Sequence, residues 1–139
     1  MGREKKAMKQ EYFHICANGA DARNFIIREE DYYAAFNLAG VCAANTEVVV
    51  VSFSIEDSHP HFLLWGTRAN CSRFKVLYET QYVHYAAATR SGGADIKFHC
   101  ELYSIGDDVD YLRNAAVYSI IQATKDGKPG MPYDYRWGT

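Results

Sequence analysis

Two apolar runs separated by four polar residues constrain the fold of this chain more than any other segment. The first run, TEVVVVSFSI (46–55), is continuous and rich in β-branched residues, which is typical of a buried strand. The second run, PHFLLWG (60–66), follows after only EDSH. Strands joined by so short a connection must pair antiparallel. The sequence therefore predicts a β-hairpin at the centre of a sheet.

Strand and helix patterns flank this hairpin on both sides. Two further strands are predicted at 11–19 and 96–105, and helices at 28–45, at 70–90 with Asn and Ser caps, and from Asp107 or Asp108 to near Lys125. The resulting order, β-α-β-β-α-β-α, favours an α+β fold. In such a fold helices pack on an antiparallel sheet, in an arrangement close to ferredoxin-like.

Composition limits the class of protein further. A chain of 139 residues suits one domain, which we expect over 11–139 behind a flexible charged leader, 1–10. The net charge of −2 means that a nucleic-acid role requires a local basic patch. The sequence has no signal peptide and no apolar run of about 18 residues, so we expect a cytoplasmic protein without membrane contact. Its four cysteines form no CxxC pair, and we expect each to pack as a small core residue.

His59 and His61 stand one residue apart at the edge of the second apolar run. Alternate residues of a strand share one face, with Cα atoms roughly 6.5 Å apart, so both imidazoles can reach one metal ion. A catalytic ion needs at least one more protein ligand. The alternative is that both histidines are half-exposed turn residues. Pro60 lies between them and has no N–H, so it must occupy an edge, an end or a bulge of its strand.

Tyr118 and Gln122 lie four residues apart on the last predicted helix. Residues at this spacing share one helix face, about 6 Å apart along the axis. If that face covers the strand with His59 and His61, Gln122 completes a metal site and Tyr118 lies beside the ion. The alternative is an ordinary polar stripe on an amphipathic helix.

Three segments of the chain resemble a known family. The segment SHPHFLLWG resembles the HUH motif (His, hydrophobic residue, His) of the single-tyrosine transposases, which belong to the insertion-sequence transposases. The segment DYLRNAAVYSIIQATKDGKPGMPYDYRWGT resembles the carboxyl-terminal part of their REP-associated branch, and EYFHICANGADARNFIIREEDYYAAF is similar to the family's opening strand, turn and helix. The resemblance runs from about Tyr12 to Trp137, and it implies the ferredoxin-like HUH endonuclease fold.

The resemblance also implies a function. It assigns His59, His61 and Gln122 as ligands of Mg²⁺ or Mn²⁺, and Tyr118 as the nucleophile. It implies cleavage and transfer of single-stranded DNA, often beside a hairpin, through a 5′-phosphotyrosine link that frees a 3′-OH. Relatives include both monomers and homodimers. Two alternatives remain: a domesticated, non-catalytic nucleic-acid-binding module, and a replication initiator or relaxase, which usually carries paired tyrosines. The other tyrosine of this helix, Tyr111, lies two turns before Tyr118.

Basic and aromatic residues after the HUH strand are candidates for DNA contacts. These candidates are Arg68, Arg73 and Lys75 for phosphates, and Tyr82, Tyr85 and Arg90 for stacking or pairing with bases. The alternative for each is a place on a solvated helix face. The same predicted helix carries Phe74, Tyr78 and Tyr82 along one side, so tyrosines at this spacing also fit a hydrophobic core.

Overall fold

The computed structural model describes residues 8–17, 24–55, 59–90, 98–106 and 110. The elements within these ranges are β1 (Gln10–Ala17), α1 (Glu29–Thr46), β2 (Val49–Ile55), β3 (Pro60–Thr67), α2 (Arg68–Thr89) and β4 (Cys100–Gly106). This order confirms the predicted β-α-β-β-α-β succession. The last predicted helix lies outside the described residues, apart from Asp110 at its start. Neither α1 nor α2 combines the length and apolarity needed to cross a bilayer.

The four strands form one antiparallel sheet in the order β2-β3-β1-β4. Helix α1 connects β1 to β2, which is an edge strand. Strand β3 then lies between β2 and β1 and pairs with both. This is the split arrangement of a ferredoxin-like sheet. The predicted hairpin of β2 and β3 is confirmed, but its predicted place at the sheet centre is wrong for β2. Only β3 is central, because β1 pairs with its other side.

Both helices pack on one face of the sheet. Phe13 and Ile15 of β1 point into this layer together with Phe62 of β3, and all three are buried. From α2, Tyr78 and Tyr82 join the core as the helical spacing predicts. The Tyr78 hydroxyl donates a hydrogen bond of 2.9 Å to the carbonyl oxygen of Ala35 in α1. Such a bond satisfies the one polar group that a buried tyrosine brings with it.

Helix α2 begins earlier than its sequence pattern indicates. The N-cap is Thr67, the last residue of β3, and its Oγ1 accepts a 3.1 Å hydrogen bond from the backbone N–H of Asn70. The predicted Asn and Ser caps are therefore wrong, because Asn70 and Ser72 already lie inside the helix. A threonine can end a strand and cap a helix at once, since the cap position has extended backbone angles.

A buried carboxylate joins the start of α1 to the end of α2. The side chain of Asp31 has no exposed surface, and its oxygens accept hydrogen bonds from the backbone N–H groups of Ile27 (3.0 Å) and Arg28 (2.9 Å). The Tyr85 hydroxyl donates to the same carboxylate at 2.6 Å. The guanidinium of Arg90, whose side chain is 4% exposed, lies 2.8 Å from it. We call Asp31, Arg28, Tyr85 and Arg90 the Asp31 network.

Arg90 extends this network to the segment before α1. It donates to the carbonyl oxygens of Asn24 (2.5 Å) and Phe25 (2.7 Å). The Tyr82 hydroxyl also donates to the carbonyl oxygen of Phe25. Polar groups with this many partners stay buried at little cost, whereas removing one partner leaves the others unsatisfied.

We expect Asp31→Ala to lower the free energy of unfolding by about 3–5 kcal/mol, because it leaves Arg90 buried without a counter-charge. Urea denaturation at neutral pH, followed by circular dichroism, measures the change. The matched control is Glu30→Ala, because the Glu30 side chain is 65% exposed and forms an ion pair of 2.7 Å with the same Arg28 side chain. A change within about 0.5 kcal/mol is expected there. Equal losses in the two variants would show that burial of Asp31 has no special role.

Acid should weaken the Asp31 network. Burial by itself raises the pKa of Asp31, but hydrogen bonds from Tyr85, Ile27 and Arg28 outweigh it and hold the pKa below its ordinary value. The unfolded chain therefore binds the proton more readily in acid. The stabilisation is complete above the unfolded pKa of about 4 and is lost as pH falls through the lower folded value. Between about pH 5 and about pH 3, wild type should lose more stability than Asp31→Asn. Parallel pH curves would exclude Asp31 as the source.

Candidate metal centre

The alternation of β1 and β3 places a second set of side chains on the side of the sheet away from the helices. His14 and Cys16 of β1 alternate with the core residues of that strand, and His61 of β3 alternates with Phe62. Cys16 and His61 are direct partners in the β1–β3 ladder. We call the side of the sheet that bears these three residues the histidine face.

The histidines converge on this face. The ring centroids of His59 and His61 lie 4.7 Å apart, with His59 directly before β3 and His61 as its second residue. His14 stacks on His61, with centroids 5.7 Å apart and 20° between the ring planes. The ligand atoms of His14, Cys16 and His61 all lie within 4.8 Å of one another. The described part of the chain thus brings the two predicted histidines together and adds two groups that sequence analysis missed.

Cys16 differs from the other three cysteines. Cys42, Cys71 and Cys100 are buried, as expected, but Cys16 is only partly buried and lies on the histidine face. Its predicted place as a small core residue is therefore wrong. The even spacing of His14 and Cys16 in EYFHICA was the available signal, but only the pairing of β1 with β3 shows that they face His61.

Burial keeps the imidazoles of this face neutral. The pKa of His61 falls to about 3, first through burial and then through the nearby charges of His59 and His14. Burial also lowers the pKa of His14. The strand partner of His14, Leu63, is 4% exposed and provides an apolar floor beside the rings. Near neutral pH both rings therefore keep a lone pair on nitrogen, which is the form that binds metal.

Pro60 and Ser54 are the neighbours of His61 along the chain and across the sheet, and both affect the surroundings of its imidazole. Pro60 is the first residue of β3, opposite Ile55, where the absent N–H disturbs the ladder least. Ser54 of β2 is the direct strand partner of His61 and is 2% exposed. Its Oγ has no hydrogen-bond partner among the residues that the structure describes. Since most buried hydroxyls are hydrogen-bonded, this one marks a position beside His61 where a bound polar group would gain a partner.

The donor set fits a divalent metal ion. Imidazoles are common ligands for such ions. The described residues supply those of His14 and His61 with the thiol of Cys16, and the ring of His59 lies beside His61. The remaining predicted groups, Tyr118 and Gln122, lie outside the described residues. The oxygen ligand and the nucleophile thus stay predictions.

The structure does not bring the predicted phosphate contacts to the histidines. Arg68 begins α2 at the far end of β3, and Thr67 lies six positions after His61, roughly 20 Å along the strand. The Arg68 guanidinium lies 5.3 Å from the centre of the Phe13 ring. Arg73 is exposed and donates to the side chain of Asn70 at 3.2 Å.

The other predicted DNA contacts already have partners within the protein. Lys75 forms an ion pair of 3.2 Å with Glu79, one helical turn away. Tyr82 is buried in the core, while Tyr85 and Arg90 belong to the Asp31 network. With these contacts in place, the ring of Tyr82 presents no surface on which a base could stack.

Comparison with known proteins identifies the type of fold. No family profile and no curated protein sequence matches the chain. One similar solved structure is a candidate transposase from Deinococcus radiodurans R1, with 9% identity, a TM-score of 0.52, and coverage of 80% of this chain and 89% of that one. Another is a REP-associated tyrosine transposase bound to a REP hairpin, with 12% identity, a TM-score of 0.60, and coverage of 94% and 75%. At such identities the likeness concerns the fold, and this chain has the α+β fold of the single-tyrosine transposases.

Proposed function

We propose that the chain is a transposase that cleaves and rejoins single-stranded DNA, with Tyr118 as its nucleophile. The observation that carries this proposal is the convergence of His59 and His61, whose rings lie 4.7 Å apart at the start of a central strand. The surrounding fold is shared with a REP-associated tyrosine transposase whose structure holds a REP hairpin. Single-stranded DNA beside a hairpin is accordingly the proposed substrate.

His59, His61 and Gln122 are the proposed ligands of Mg²⁺ or Mn²⁺. Bound there, the ion would polarise the scissile phosphate and offset the charge that builds up in the transition state. The hydroxyl of Tyr118 attacks the phosphorus, and the bond between phosphorus and the 3′ oxygen breaks. Tyr118 is then covalently bound to the 5′ phosphate. The phenol loses one proton, and the 3′ oxygen gains one as it becomes a 3′-OH. Attack by another 3′-OH on the phosphotyrosine reverses these changes and joins the strands.

The exposed cations at the far end of β3 suit a DNA substrate that extends well beyond the scissile phosphate. Arg68 and Arg73 lie near the start of α2, about 20 Å along the strand direction from His61. We propose that they contact phosphates of the hairpin rather than the scissile phosphate. This use of a local pair of cations also accommodates the net charge of −2.

We expect Tyr118→Phe to abolish the covalent protein–DNA adduct, because the substitution removes the attacking oxygen and keeps the ring. The assay incubates protein with a hairpin-bearing single-stranded oligonucleotide and Mn²⁺, then separates adducts on a denaturing gel and identifies the modified residue by mass spectrometry. Tyr33→Phe is the matched control, since Tyr33 is exposed on α1, on the helix side of the sheet. It should form adduct at the wild-type rate. An adduct that survives in Tyr118→Phe would rule out this nucleophile.

Removal of a histidine ligand should slow adduct formation about 100-fold or more, since even groups that only orient a ligand typically account for 10–100-fold. We expect this result for His59→Ala and for His61→Ala, and not for His84→Ala, whose side chain is exposed on α2. Chelation should stop the wild-type reaction, and added Mn²⁺ should restore it. If the wild type instead binds the oligonucleotide and forms no adduct with any metal, the chain is a non-catalytic nucleic-acid-binding module.

A further inference from the structure

We propose that His14, Cys16 and His61 form a binding site for a thiophilic divalent cation, with Zn²⁺ as the ion of best fit. The site uses two side chains from β1 and one from β3, and it shares only His61 with the pair of histidines discussed above. The inference goes beyond the proposed function, because binding at this site needs neither DNA nor Tyr118.

The geometry needs little adjustment to hold such an ion. The three ligand atoms already lie within 4.8 Å of one another. Zinc bonds of about 2.0–2.1 Å to nitrogen and 2.3 Å to sulfur separate tetrahedral ligand atoms by roughly 3.3–3.7 Å. Side-chain rotation has to shorten the distances between the ligand atoms only from those in the structure to those around zinc. The β1–β3 ladder already sets the backbone of Cys16 opposite that of His61.

The donor atoms decide which ion the site prefers. Thiolate and imidazole suit Zn²⁺ and Co²⁺, whereas Mg²⁺ prefers oxygen ligands. Binding breaks the S–H bond of Cys16 and forms a metal–sulfur bond, and the proton leaves to solvent. Glu101, the β4 partner of Cys16, adds a negative charge to the same face of the sheet.

The fourth coordination position of the proposed ion has a candidate hydrogen-bond partner in Ser54. Three protein ligands leave a tetrahedral ion one position for water or substrate. Ser54, the β2 partner of His61, is 2% exposed, and its Oγ is without a hydrogen bond among the described residues. A metal-bound water would give this hydroxyl a partner, which links an otherwise unexplained buried group to the site.

The test is titration of metal-free protein with Co²⁺, which reports its ligands directly. A thiolate-to-cobalt charge-transfer band should appear in the near-ultraviolet spectrum, and Zn²⁺ should displace Co²⁺ at near-stoichiometric amounts while excess Mg²⁺ should not. Cys16→Ser should remove the band and weaken Co²⁺ binding roughly tenfold or more, and His14→Gln should weaken binding to a similar extent. Cys42→Ala and His84→Ala should leave the band and the affinity unchanged, because both residues lie on the helices.

A second measurement needs no variant of the site. Zn²⁺ should slow alkylation of Cys16 in wild-type protein, as measured by mass spectrometry of the peptide that contains it. Absence of the charge-transfer band in wild type, its persistence in Cys16→Ser, or alkylation of Cys16 at the same rate with and without Zn²⁺ would each overturn the proposal. Any of these results with DNA adduct formation intact leaves the proposed function standing. Cobalt binding through Cys16 without an adduct under any metal supports this site and overturns the proposed function instead.

Discussion

The antiparallel pairing of β1 with β3 is the constraint on which both the core and the candidate metal centre depend. It sets Cys16 opposite His61, while Phe62 and Leu64 point to the helices. Because side chains alternate with a period of two, a slip of one residue would turn the imidazole into the core beneath the helices and the phenyl ring onto the histidine face. Burial of each large apolar side chain is worth about 1.5–3 kcal/mol. The energy that holds the histidines on their face therefore comes from the opposite side of the sheet.

The Asp31 network shows that basic and aromatic residues of α2 have a structural use besides the DNA contacts predicted for them. Tyrosine and arginine serve equally well to stack on bases and to satisfy a buried carboxylate. Their spacing on α2 matches both uses, because a face that points inward has the same period as one that points outward. The residue that turns Tyr85 and Arg90 toward the protein interior is Asp31, which lies 54 positions before Tyr85. An acid in the first turn of a helix reads as ordinary helix-dipole chemistry, so its burial against α2 could not be foreseen.

Much of the fold could be predicted because its signals are local. The β-branched run of β2, the tight connection before β3 and the apolar stripe of α2 each depend on neighbouring residues, and the observed elements follow them closely. Sheet order and side-chain partners are not local. His59 and His61 were predicted as a pair since they lie two positions apart in the sequence, whereas His14 and Cys16 join them from a strand some 45 residues earlier. Tyr118 and Gln122 remain predictions from helical spacing and family resemblance.

The identity of the third ligand determines what the histidine face can do. In the two proposals, the set of ligands that contains His61 is completed either by Gln122, whose amide oxygen suits Mg²⁺ or Mn²⁺, or by Cys16, whose sulfur suits Zn²⁺. The sulfur has the advantage of position, because the β1–β3 ladder already fixes its backbone. One imidazole nitrogen cannot bind both ions, so occupancy by the thiophilic ion would withdraw His61 from His59. If both proposals hold, strand transfer would therefore depend on which cation the face holds, and free zinc would compete with the ion that supports cleavage.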